Sequence, residues 1–236
     1  VTFVNGSTSN FGELAGANQG AITNAYWNTQ TSGQVGAIGN DTGTSATTPN
    51  TTAQLQAAVP AGFDTLVWGV VPGVSYPYLN WRFPSGPTVV SGTVTGADGG
   101  DAGLSVAVAI SGMTLPNNVI TGADGSYYVT LDPQAAGTPV LTLLTQDRFP
   151  GGATSSVSNA VTAVTVQGHA TGLDLVPDRV LVLSTLPTIS DVANLMELAH
   201  GSGPGSAYDD FLFTGQLIYV ACFCSVLRKI RPRRCT

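Results

Sequence analysis

The side chains with the most chemical potential in the first part of this 236-residue chain are aromatic: Trp27, Phe63, Trp68, Tyr76, Tyr78 and Trp81. Rings of this kind do one of two jobs. Exposed in a groove they stack on the faces of sugars or bases; buried, they fill space. Trp27, Trp68, Tyr76, Tyr78 and Trp81 are therefore the candidate glycan-stacking positions. Burial as a cap is the favoured role, because large aromatics are usually inside.

Groups that could cleave bonds are scarce. The acids of the first part are Glu13, Asp41 and Asp64, and no spacing forces two of them onto one face as paired-carboxylate chemistry requires. Arg82 is the one basic residue there to neutralise an acidic sugar. His169 and His200 are the only imidazoles; one borders a Gly-flanked strand and the other precedes Gly201 at a helix end, where a dipole partner is the ordinary role. Motifs for zinc hydrolysis, nucleophilic elbows, phosphate loops and Cys-x-x-C redox pairs are all missing. The sequence predicts no enzyme and no cofactor.

One metal alternative stands beside that expectation. Thr95-Gly-Ala-Asp-Gly99 recurs as Thr121-Gly-Ala-Asp-Gly125, and Asp98, Asp101 and Asp124 could donate to calcium. Calcium takes about six to eight oxygens, so three carboxylates fall short and Asp-Gly turns are the simpler reading.

Charged residues make up 9% of the chain, against about 25% in an ordinary soluble domain. Gly, Ser, Thr, Asn and Val replace them, which suits strands that turn tightly and bury side chains pairwise. The fold class expected is all-β. All 14 acids precede Phe211, while Arg228, Lys229, Arg231, Arg233 and Arg234 crowd the last nine positions. An acidic, Lys-poor body repels phosphate backbones, so no nucleic-acid partner is expected. Cys222, Cys224 and Cys235 all lie in the tail and lack zinc spacing, so no disulfide framework staples the body. The start has neither a basic nor an apolar leader region, and the chain is expected to be part of a longer one.

Residues 1–83 carry glycines at short intervals with apolar residues between: Gly12-Glu-Leu14-Ala-Gly16-Ala-Asn18-Gln-Gly20-Ala-Ile22-Thr-Asn24-Ala-Tyr26-Trp27. The spacing is too short for helices. Leu14, Ile22 and Tyr26 are expected to point into a narrow core while Gly16, Asn18, Gly20 and Asn24 take corners, the pattern of a solenoid. This stretch resembles the GLUG repeat of large bacterial surface proteins. Tyr26-Trp-Asn-Thr-Gln30, Thr52-Ala-Gln-Leu55, Gly62-Phe63-Asp64, Trp68 and Ser75-Tyr-Pro-Tyr-Leu-Asn-Trp81 resemble the segment that follows such repeats in filamentous-haemagglutinin-like exoproteins. The resemblance implies a right-handed β-helix, export and attachment or aggregation at the bacterial cell surface. A helix-like patch spans Thr52 to Val59.

Pro84-Ser-Gly-Pro87 breaks the pattern, and from Val89 apolar and polar residues alternate in about seven short, half-buried strands, as in a β-sandwich. Val90-Ser-Gly-Thr-Val94, Thr121-Gly-Ala-Asp-Gly-Ser-Tyr127 and Gly172-Leu-Asp-Leu175 resemble a carboxypeptidase-regulatory-like, prealbumin-like module over residues 88–177, with Asp124-Gly125 in a central hairpin. That resemblance implies a spacer without catalytic residues. Residues 178–236 are expected to hold an amphipathic helical stretch over residues 178–200, with Ser190 as N-cap and Gly201 as the stop, then a linker and an atypical basic tail whose break in composition fits a shifted reading frame, a recombined end or an artefact of the gene model. The apolar run from Gln216 to Leu227 is shorter than the roughly 20 residues of a bilayer span. Together these readings predict a structural segment of a secreted adhesin whose partner is a host or neighbouring-cell surface glycan or protein. A carbohydrate-binding module ranks second and a polysaccharide-active β-helix enzyme using Asp41 or Asp64 third.

Overall fold

The computed structural model describes residues 10–96, 101–111, 113–148, 161–165, 168–176, 179–183, 217–221 and 228–230. Strands make up nearly all of the regular structure, and α1 (Thr52–Leu55) is the one helix among the described residues. The protein is all-β. Two compact units divide it, Val1–Pro87 with Gly122–Asp124, and Thr88–Thr121 with Gly125–Thr236.

In the first unit the chain passes back over itself. β1 (Ala15–Asn18) pairs in parallel with β3 (Ile38–Asp41), and β2 (Ala21–Asn28) in parallel with β4 (Thr44–Asn50). Ala15 faces Ile38, Ala17 faces Asn40 and Asn18 faces Asp41, so each residue meets the one 23 positions later. The second pair opens with the same offset, Ala21 on Thr44 and Ile22 on Ser45, until an irregularity between Ile22 and Ala25 shortens it by one. Two successive passes therefore stack at strand spacing.

The side chains sort differently from the expectation. Gly16 and Asn18 lie within β1, and Asn24, with φ of 50°, lies at the irregularity in β2. That irregularity resets the alternation of the strand. Trp27 and Asn18 are the buried residues of the first pass, while Leu14 is exposed and Ile22 and Tyr26 are half-buried. Glycine is needed at the second corner for closeness: a Cβ on Gly43 would lie 2.2 Å from the Gly20 carbonyl oxygen.

After β4 comes α1, one turn long. Thr51 caps it, its hydroxyl accepting from the Gln54 N–H while the Gln54 side chain accepts from the Thr51 N–H. This reciprocal box fixes the start of the helix, and the helix ends well short of Val59. Leu55 is buried. β5 (Trp68–Gly69) and β6 (Tyr78–Leu79) then form a short antiparallel pair.

In the second unit, β7 (Thr88–Thr93) is flanked on both sides. β11 (Ser126–Leu131) pairs with it antiparallel, and residues 170–175 run parallel along its other edge, with Ser91 N–H on Ala170 O and Leu173 N–H on Ser91 O, both at 3.0 Å. A second sheet has the order β10-β8-β12-β13-β14-β15-β16, with β9 also on β8. Its members are β8 (Leu104–Ile110), β9 (Met113–Thr114), β10 (Val119–Ile120), β12 (Pro139–Arg148), β13 (Val161–Thr165), β14 (Arg179–Leu183), β15 (Leu217–Ala221) and β16 (Arg228–Ile230). Neither sheet closes on itself.

Val90, Val94 and Tyr127 from the first sheet share one core with Leu104, Val106, Val108, Ile110, Val140 and Leu144 from the second, joined by Ala170, Leu173 and Leu175. β8 is not half-buried as alternation predicts; Ser105 and Ala109 on its other face are buried too. Asp124-Gly125 also has a different place. β10 and β11 belong to different sheets, so the turn is a corner between sheets and not a hairpin, with Gly125 at φ of 76°. Arg179–Leu183 is strand where the helical stretch was expected to begin, in keeping with its alternating Val and Leu. The segment from Ser190 to Gly201, His200, Asp98 and the three cysteines lie outside the described residues.

Candidate functional site

The aromatic stretch is organised by a tight turn. Asp64 holds it: its Oδ1 accepts the Leu66 N–H at 2.8 Å and its carbonyl accepts the N–H groups of Val67 and Trp68. Asn80 fastens the far side, its N–H on the Val67 carbonyl at 2.8 Å and its side-chain amide on the carbonyls of Thr65 and Leu66. Residues 64–68 and 80–81 are thereby brought together at one end of the β5–β6 pair.

The five candidate rings do not form one platform. Trp27 is buried. Trp68 is half-buried, its ring 4.8 Å from that of Phe63, which in turn meets Tyr26 edge-on at 5.6 Å. Tyr76 is half-buried, and its hydroxyl takes the Asn28 amide at 2.9 Å. Tyr78 is half-buried, edge-on to Phe83 at 6.1 Å. Only Trp81 stands out, 75% exposed, beside Leu66 at 85% and Val67 at 43%. The exposure of Leu66 and Val67 was not anticipated, since nothing in their spacing distinguishes them from core residues.

A second constellation joins the stacked passes. Asn18 and Asp41 occupy equivalent positions. Asn18 Oδ1 accepts the Gly20 N–H at 3.0 Å, and Asp41 Oδ1 accepts the Gly43 N–H at 3.2 Å. The two turns are linked by the Asn18 amide, whose Nδ2 donates to Asp41 Oδ1 at 2.9 Å, while Ser45 donates its hydroxyl to the other carboxylate oxygen. The bonds from Ser45 and Asn18 hold the Asp41 carboxyl below the ordinary aspartate range. The signal for this pair was in the sequence, as Asn18-Gln-Gly20 repeated by Asp41-Thr-Gly43 at the 23-residue interval.

The acids proposed for polysaccharide cleavage are thus occupied in turns, Asp41 in one pass and Asp64 in another segment. His169 serves the backbone, its Nδ1 accepting the Val89 N–H at 3.3 Å. Asp174 accepts both the N–H and the hydroxyl of Thr93, at 3.0 and 2.7 Å. Among the described residues no three acids, histidines or cysteines converge as a metal site, and no helix is long and apolar enough to cross a membrane. Asp101 lies beside Gly125, next to Asp124 in sequence.

No protein-family model matches the chain, and neither the curated proteins nor the solved structures contain a significant match to it.

Proposed function

We propose that this chain is a structural segment of a secreted bacterial surface adhesin. Residues 10–83 serve as the last turns of a right-handed β-helix of the GLUG type, and the two-sheet unit from Thr88 onward serves as a β-sandwich spacer. The observation that carries the reading is the parallel register of successive passes at an offset of 23 residues, shortened by one past the irregularity in β2, because a chain that returns over itself in this way can be extended by repetition into a stalk. The low charge and the packing of both sheets around one apolar core support a load-bearing role over a catalytic one. Antibody labelling of intact, unpermeabilised cells of the producing organism tests it. Surface labelling that external protease removes is expected, together with a loss of attachment or aggregation when residues 10–83 are deleted. Labelling only after permeabilisation overturns the proposal.

The exposed ring of Trp81 supports a second reading, a carbohydrate-binding surface. An aromatic face left in water beside two exposed aliphatic residues can lie flat on the apolar face of a sugar. On a glycan array, Trp81→Ala is then expected to abolish a signal that Tyr78→Phe leaves in place. Equal signals from both variants eliminate this surface.

A further inference from the structure

The loop between β11 and β12 contains the one Asp-Pro bond of the chain, Asp132-Pro133. Both residues are exposed. The chemistry open to such a bond differs from that of other aspartyl bonds. Proline has no N–H, so the following amide nitrogen cannot close onto the carboxyl and rearrange the chain without breaking it. Attack in the other direction remains open, by the carboxyl oxygen on its own main-chain carbonyl with the proline nitrogen as leaving group.

The loop holds that carbonyl in a defined setting. Gln134 Nε2 donates to the Asp132 carbonyl oxygen at 2.8 Å. Gln134 is itself fixed, its backbone N–H on Thr88 Oγ1 at 2.9 Å, and Thr88 is buried and donates onward to the Gly168 carbonyl at 3.2 Å. Thr88 also faces Leu131 across the β7–β11 ladder. One buried residue thus anchors the chain on both sides of Asp132-Pro133. A turn closes the far end of the loop, where the Ala135 carbonyl accepts both the N–H and the hydroxyl of Thr138. A fixed donor on a carbonyl oxygen favours the state in which that oxygen becomes negative.

We propose that Asp132-Pro133 is a self-cleavage site, with Gln134 as the oxyanion donor and Thr88 as its positioning residue. An oxygen of the Asp132 carboxylate bonds to the Asp132 carbonyl carbon and closes a cyclic anhydride. The bond from that carbon to the Pro133 nitrogen breaks, and the nitrogen leaves with the electron pair and takes a proton from acidic solvent. Water, which reaches the exposed loop, then adds to one carbonyl carbon of the anhydride and releases the ring oxygen, so that two carboxyl groups result. The sum is hydrolysis, and nothing is oxidised or reduced. The cut leaves the ladders in place. β11 stays on β7, while β12 and residues 170–175, which follow the cut, keep their pairing with β8 and β7, which precede it. The second unit is nicked and not dismantled.

The purified full chain is held in mildly acidic buffer with and without urea, circular dichroism verifying which sample is folded, and fragments 1–132 and 133–236 are quantified by mass spectrometry. The folded chain is expected to accumulate them about tenfold faster than the unfolded one, because only the fold fixes Gln134 on the carbonyl; a donor in a dry oxyanion hole contributes about a hundredfold or more, and this one faces water. Gln134→Ala, which keeps the N–H held by Thr88, is expected to bring the folded rate down to the unfolded one. Thr88→Val is expected to do the same while leaving the rate in urea unchanged, and Thr88→Ser to restore the parent rate. Asp132→Ala, without the nucleophile, is expected to stay whole. An uncut folded chain overturns the proposal, as does a folded chain cut no faster than the unfolded one, a Gln134→Ala rate equal to the parent's, or the same cut in Asp132→Ala. A Thr88→Val rate equal to the parent's overturns the role of Thr88. The nicked chain is expected to sediment as the whole one does, and fragments that part without denaturant overturn the claim that the ladders hold it together.

Discussion

Replacing Tyr127 with Ala is expected to unfold the second unit at temperatures where the parent chain remains folded. The ring is 2% exposed and belongs to the core shared by both sheets. Its hydroxyl ties three segments together, donating its one proton to the Leu173 carbonyl and sharing a second hydrogen bond, at 3.2 Å, with the Thr142 hydroxyl. Truncating a buried aromatic costs about 3–5 kcal/mol, against a total domain stability of about 5–15 kcal/mol. Thermal denaturation followed by circular dichroism measures the loss. Tyr127→Phe separates packing from bonding: it keeps the ring and is expected to cost about 1–3 kcal/mol by leaving the Leu173 carbonyl without that donor. A Tyr127→Ala midpoint equal to the parent's shows that the two sheets are not held by this residue.

Burial also pushes the Tyr127 phenol well above the ordinary tyrosine range, and the nearby Asp174 carboxylate adds to the shift. The unfolded chain releases this proton at lower pH than the folded chain, so the stabilisation is complete below the ordinary tyrosine range and declines as alkalinity rises beyond it.

Gly43→Val has the largest effect expected in the first unit. The new Cβ would sit 2.2 Å from the Gly20 carbonyl oxygen and 2.8 Å from the Gly20 nitrogen, and neither is the end of a side chain that can swing away. The two passes must separate, which breaks the bonds from Thr42 N–H to Asn18 O at 2.9 Å and from Thr44 N–H to Gly20 O at 2.8 Å. Overpacking of this kind costs about 1–3 kcal/mol and more where backbone opposes backbone. Hydrogen exchange of peptides across residues 15–28 and 38–50 is expected to accelerate in both passes together. Unchanged protection would mean that the close approach at Gly43 is not what sets the spacing.

The all-β class was legible because composition alone requires it: few charges, many β-branched residues and a turn residue every few positions leave little room for helices. Strand positions such as Leu104 to Ile110 were legible from alternation, but their burial was not. Whether Ser105 and Ala109 face water depends on what lies across the sheet, which no local pattern records. The first unit shows the same limit. A single irregularity between Ile22 and Ala25 reverses which residues point inward, so that Trp27 is buried and Tyr26 meets Phe63 instead. At the candidate surface, sequence reasoning found the rings but not their exposure. Trp27 and Trp81 are the same residue type, and only the partners folded around each separate a filled interior from a ring left in water.

The two ways in which the chain closes its sheets have kinetic consequences. A stacked pass finds its partner 23 residues away, so each turn can be completed almost as soon as it is made. β7 is different: Thr88 bonds to Gly168 and Thr93 to Asp174 across separations of 80 and 81 residues. Until residues 170–175 arrive, that edge of β7 remains open, and loop closure over such a length must be achieved before any of its contacts contribute. A chain delivered from its N-terminus would thus assemble its first unit progressively. The second waits until residues 170–175 are present and then completes β7 in one late, cooperative event.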